Sequence, residues 1–89
     1  MVYRIEFTRQ AERQFKALPR NIQTRLKSHI DRLIEDPRPS GAYKLSGKDD
    51  LYRIRVGDYR VIYAVQDKAL LILVLKVGHR GNVYRRITK

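Results

Sequence analysis

Three arginines stand where a β-hairpin would place them on one face. The run Leu51-Tyr-Arg-Ile-Arg-Val-Gly-Asp-Tyr-Arg-Val-Ile-Tyr63 alternates, and Gly57-Asp58 sits inside it at the spacing of a two-residue turn, where Gly-X suits type II′. In that register Val56 faces Tyr59, Ile54 faces Val61 and Tyr52 faces Tyr63, so these six share an apolar, aromatic side. The opposite side carries Arg53, Arg55 and Arg60, then Ile62 and Ala64, with Arg55 directly across from Arg60. Like charges so placed repel. A chain that keeps them is expected to offer them to an anion or to an acidic partner. A guanidinium grips phosphate with two parallel hydrogen bonds and does not titrate. Clustered arginines can therefore clamp a phosphodiester and stabilise charge on a transition-state oxygen. The expected partner is a polyanion, RNA foremost.

A second group of candidates follows in Val77-Gly-His-Arg-Gly-Asn-Val-Tyr84. His79 is a candidate base for proton transfer. Arg80 and Arg85 add cationic forks, and Tyr84 could stack on a nucleobase. The other histidine, His29, lies beside an apolar helical stripe and reads as structural. No pair of acids has the spacing of a general acid/base couple, and neither a metal-ligand motif nor a phosphate-cradling glycine loop is present. No cofactor is expected. What remains is hydrolysis that needs neither a metal nor a protein nucleophile. RNA permits it, because its own 2′-hydroxyl can attack the adjacent phosphate. The protein then has to align the sugar, neutralise the phosphate and move two protons.

The elements that would hold these residues can be read in order. Val2 to Phe7 alternates as a strand, and Thr8 is a plausible N-cap. Ala11, Phe15 and Leu18 recur at helical spacing over Thr8 to Leu18, until Pro19. A second helix starts near Arg20 or Asn21, with Ile22, Leu26, Ile30, Leu33 and Ile34 as its stripe, and Asp36-Pro-Arg-Pro-Ser-Gly41 breaks it. The two helices form an αα-hairpin that needs a sheet to cover. Residues 37–50 read as a loop with Tyr43, Lys44 and Leu45 inside it. After the hairpin, Gln66-Asp-Lys68 makes a turn. Leu70 to Leu75 is apolar throughout, as a central strand buried on both faces would be, and Gly78 ends it. Val83 to Ile87 is one more short strand or a tail. The expected fold is α+β: two N-terminal helices on a small, mainly antiparallel sheet, in the order β-α-α-β-β-β, forming one domain over residues 1–89.

Composition bounds the partners. The 89 residues carry 20 Lys or Arg against 9 acids, for a net charge of +11. Residues 52–89 alone hold nine Lys or Arg against two acids, Asp58 and Asp67. Such density favours phosphate-rich partners through counterion release. There is no cysteine, so neither disulfides nor thiolate metal sites are available. The N-terminal residues lack the apolar core of a signal peptide, and no apolar run is long enough to span a membrane. A cytoplasmic protein is expected.

The strings Lys44-Leu-Ser-Gly47, Tyr52-Arg-Ile-Arg-Val-Gly-Asp-Tyr-Arg-Val-Ile-Tyr63 and Val77-Gly-His-Arg-Gly-Asn-Val-Tyr-Arg85 resemble the RelE/ParE superfamily of toxins, over essentially the whole chain. Within it, the chain looks closest to the RelE branch of ribosome-dependent mRNA endoribonucleases. The resemblance implies entry into the ribosomal A site and cleavage of the codon there by 2′-hydroxyl attack, leaving a 2′,3′-cyclic phosphate. It implies an acidic, RelB-like antitoxin that wraps the toxin, and operator DNA as a target of the complex. By position, the family's basic residues on the first hairpin strand fall on Arg53 and Arg55. Its phosphate-binding arginine falls on Arg60, the arginine after the last core strand on Arg80, and the stacking tyrosine on Tyr84. Where some members carry lysines on the first hairpin strand, this chain has arginines. Arginine does not release its proton in proteins. Either His79 serves as the base or catalysis is mainly electrostatic. The alternatives are a ParE-like inhibitor of DNA gyrase without nuclease activity, and an inactive basic RNA-binding domain.

Overall fold

The chain enters the fold through a cap. Thr8 accepts a hydrogen bond from the Ala11 N–H at 3.1 Å and opens a helix directly after a strand. In a computed structural model that describes residues 2–45 and 50–79, that strand is β1 (Arg4–Phe7), followed by α1 (Arg9–Lys16) and α2 (Arg20–Arg32). Four more strands follow: β2 (Tyr43–Lys44), β3 (Leu51–Val56), β4 (Tyr59–Gln66) and β5 (Leu71–His79). The sheet runs β1-β5-β4-β3-β2. β1 lies parallel to β5, and the other pairings are antiparallel. The α+β fold with its αα-hairpin is thus as expected.

The hairpin register matches the sequence reading pair for pair, Arg55 opposite Arg60 included. Gly57 takes φ 62°, and Asp58 does not have a positive φ, the combination that type II′ requires. Three details differ from expectation. Tyr43 and Lys44 do not belong to a loop; they pair with Arg53 and Tyr52 as a two-residue edge strand. β4 rather than β5 is the middle strand, because β1 adds on β5's far side. Gly78 does not end β5, which continues to His79. The expected Val83–Ile87 element lies outside the described residues.

The helices cover one face of the sheet. Leu26, Ile30 and Leu33 of the second helix and its exit meet Ile54, Val56, Val61, Tyr63, Val65, Ile72, Val74 and Val77, all buried. Tyr63 is wholly buried, and its hydroxyl donates to the Pro37 carbonyl at 2.9 Å. Burial pushes its phenol well above the usual range. Tyr63 also stacks on Tyr52 at 5.9 Å.

β5 changes neighbours half-way. β1 pairs with it only from Leu71 to Val74. Past that point α1 takes over: the Thr8 N–H donates to the Val74 carbonyl at 3.0 Å, and the Val77 N–H donates to Gln14 Oε1 at 2.8 Å. In the same stretch Tyr63 pairs with Val74 but Ile62 pairs with Lys76, leaving Leu75 as the extra residue of a β-bulge.

A polar latch closes the other end. Arg38 donates to both carboxylate oxygens of Asp67, at 2.8 and 3.3 Å, and to the Tyr52 hydroxyl at 2.8 Å. The Tyr3 hydroxyl donates to Asp67 at 2.6 Å. The loop after α2, the lead-in to β1, β3 and the turn before β5 are tied together. Arg38, and after it Tyr3, hold the Asp67 carboxyl below its ordinary range. A depressed carboxyl contributes stability above its unfolded-state pKa and loses it as pH falls through the folded value. Thermal unfolding between pH 5 and pH 2 is therefore expected to show a steeper acid loss in the wild type than in Asp67→Asn. Equal slopes would deny the latch. At the hairpin tip, Gly57→Ala is expected to cost about 1–2 kcal/mol by denaturant unfolding, from the left-handed backbone. The added Cβ meets only the end of the Arg25 side chain, at 3.4 Å.

Candidate phosphate-binding face

The face away from the helices is built by alternation. Tyr43, Arg53, Ile62 and Lys76 stand in one cross-strand row, and Arg55, Arg60 and Gly78 in the next. Cross-strand partners have Cβ atoms about 5 Å apart, so the rows bring four cationic side chains into one neighbourhood. Among the described strand residues, the acid on that face is Glu6, which stands in a further row beside Leu73 and is held by Arg4 at 3.0 Å.

The three hairpin arginines have three different settings. Arg53 is half-buried, and its guanidinium lies over the exposed Tyr43 ring at 4.5 Å, a cation–π contact. Arg55 is exposed. Arg60 is only 6% exposed and donates to the Tyr59 carbonyl at 3.3 Å. The charge of Arg60 is thus largely covered, unlike that of Arg55. Gly78 opposite it places no side chain on this face.

His79 is not gathered with the arginines. It pairs with Tyr59, and the two rings meet edge-on at 5.5 Å on the helix side of the sheet. The bulge is the reason. Val74 and Val77 both point into the core although they are three residues apart, so the alternation after Leu75 is shifted by one. An unbroken strand would have put His79 among the arginines. The same shift brings Lys76, which the sequence reading passed over, onto the arginine face, where its ammonium donates to Gln10 of α1 at 3.3 Å. No sequence signal marked that bulge. Tyr43 was also missed. Its signal was weak, since a two-residue edge strand carries almost no periodicity. Arg80, Tyr84 and Arg85 lie outside the described residues.

The chain and its topology have known counterparts. Residues 5–84 match the family described as the ParE toxin of type II toxin–antitoxin systems, parDE. The chain belongs to the RelE/ParE toxin superfamily. It is 31% identical to the mRNA interferase toxin RelE of Escherichia coli K12, over all of this chain and 97% of that one. Among solved structures it resembles the archaeal RelE–RelB complex from Pyrococcus horikoshii, at 38% identity and a TM-score of 0.79, over 91% of this chain and 98% of that one. It also resembles the intact E. coli RelBE toxin–antitoxin complex, at 27% identity and a TM-score of 0.78, over 89% and 96%. No helix among the described residues of this RelE-like chain is long and apolar enough to cross a membrane.

The unequal settings of the arginines can be measured. Arg60→Ala is expected to lower unfolding stability by about 1–3 kcal/mol, and Arg55→Ala to change it by less than about 0.5 kcal/mol. Denaturant titration of the two variants checks the difference.

Proposed function

We propose that this RelE-like chain is the toxin of a type II pair and a ribosome-dependent mRNA endoribonuclease. In this reading it cuts the A-site codon by 2′-hydroxyl attack, leaving a 2′,3′-cyclic phosphate. The observation that carries it is the cationic row pair Arg53, Arg55, Arg60 and Lys76, on a chain similar to a protein named as an mRNA interferase.

Arg53 and Arg55 hold the backbone of the bound strand. Arg60, fixed by its cover, faces the charge that grows on the phosphate as the new bond forms. Tyr43 beside Arg53 offers an exposed ring on which a base can stack. Proton transfer cannot fall to the arginines. Besides the arginines, the described part of that face carries Lys76 and Tyr43 as candidates for proton transfer, and His79 at the strand end is the alternative. Arg80, Tyr84 and Arg85 follow His79 in the chain and complete the RNA contacts that the resemblance implies. A RelB-like antitoxin, such as those in the complexes the chain resembles, neutralises the basic face by wrapping the toxin. The pair then binds operator DNA.

The match to a family described as a ParE toxin favours the second reading given by the resemblance, a ParE-like chain that inhibits DNA gyrase by protein contact. Primer extension on translated mRNA, run beside a gyrase supercoiling assay, separates the two. Intact mRNA with poisoned gyrase would overturn the nuclease. Under the nuclease reading, Arg55→Ala is expected to slow single-turnover cleavage about 10–100-fold, somewhat less than the loss of a fully enclosed donor. His79→Ala is expected to leave the rate within about threefold, because its ring packs on Tyr59. A loss approaching that of a general base, about 10²-fold or more, would return the role to His79.

A further inference from the structure

The basic face does not end at the sheet edge. β2 covers β3 only at Tyr52 and Arg53. Beyond it, β3 meets the end of α2 and the loop that follows, and between them is a cavity of about 170 Å³. Its lining is His29, Arg32, Leu33, Pro39, Gly41, Ile54 and Arg55. Three of these side chains are cationic or can become so, and none is an acid. Small-molecule pockets run to about 300–1,000 Å³, so this one suits a single anionic group rather than a nucleoside.

The geometry points to a second phosphate site here, and we propose that it seats one phosphodiester of an RNA backbone, away from the reacting nucleotide. The inference rests on the RNA-directed reading above. Arg32 and Arg55 approach from different elements and form no ion pair with any acid among the described residues. Basic residues in the last turn of α2 would complement the helix dipole. That explains His29 and Arg32 but not Arg55, which comes from the strand. The His29 Nδ1–H donates to the Arg25 carbonyl at 2.9 Å, which fixes the ring and leaves Nε2 as its other polar atom. Guanidinium forks grip phosphate through two parallel hydrogen bonds, and the strand they face in this reading is RNA. Arg55 stands across from Arg60, so a backbone seated in the cavity would run on to the arginine face.

The test is ribosome binding by co-sedimentation at two salt concentrations, together with single-turnover mRNA cleavage, for wild type, Arg32→Ala, His29→Ala and Arg32→Lys. Expected is a five- to tenfold loss of ribosome affinity in the first two variants, with a salt slope reduced by about one for Arg32→Ala. The cleavage rate at saturating ribosomes should be unchanged, and Arg32→Lys should recover part of the affinity. Unchanged affinity and slope would overturn the site. So would a defect confined to binding of the acidic antitoxin, which would assign the cavity to a protein partner. Ribosomes stripped of mRNA distinguish the source: a defect that persists there places ribosomal RNA in the cavity, and one that vanishes places the message there. If the wild type binds ribosomes but cuts nothing, the nuclease reading falls alone, because the affinity comparison still decides the site.

Discussion

The hand-over along β5 sets both faces of this sheet. A strand interior to a sheet must satisfy its backbone groups on both edges. β1 does so only as far as Val74, and α1 completes the edge through Thr8 and the amide oxygen of Gln14. At that junction Leu75 is the extra residue. Were Leu75 to take a regular place in the ladder instead of bulging, Lys76 would enter the core and Val77 would leave it. With the bulge, Val77 seals the core beside Val61, and Lys76 and Gly78 turn outward beside Ile62 and Arg60. One inserted residue therefore fills the core and sets the charge pattern of the outer face together.

That outer face holds like charges at close range, and the structure relieves them by giving each arginine its own surroundings. Arg60 is covered and donates to a backbone carbonyl. Arg53 lies on an aromatic ring. Arg55 remains exposed and lines the cavity at the sheet edge. Such a trio is not an undifferentiated basic patch. One member is held under cover and another stands exposed. A domain of this size buries a modest share of its surface, which makes the polar ties at its ends important. Gln14 and Thr8 fix β5 at one end. Arg38, Asp67, Tyr3 and Tyr52 fix the turn before β5, together with β3, at the other.

Much of this was legible from residue order. The alternation from Leu51 to Tyr63 with Gly57-Asp58 within it determined the hairpin register, because a slip by one would expose Ile54, Val61 and Tyr63. Thr8 and Pro19 marked helix boundaries through local chemistry that needs no tertiary context. What was not legible depends on partners distant in sequence. Leu75 bulges because β1 stops four residues into its pairing and α1 takes its place, a fact about residues some sixty positions earlier. The side on which His79 falls follows from that bulge, so its placement among the arginines could not be corrected from its own neighbours. Tyr43 was hidden for another reason: two residues of edge strand are too few to show a period.

The use of arginine at all three hairpin positions constrains the chemistry more than it constrains binding. An arginine face grips phosphate and lowers the energy of developing negative charge, but it cannot accept a proton from an attacking hydroxyl. In the proposed reaction the nucleophile comes from the substrate and the proton acceptor is a group other than these arginines. The bulge decides which outside groups are in reach: it delivers Lys76 to the arginine face and commits the His79 ring to Tyr59. In the proposed reaction, binding falls to the hairpin of β3 and β4 and proton transfer to β5. Their alignment depends on the same junction with α1 that holds β5 in place.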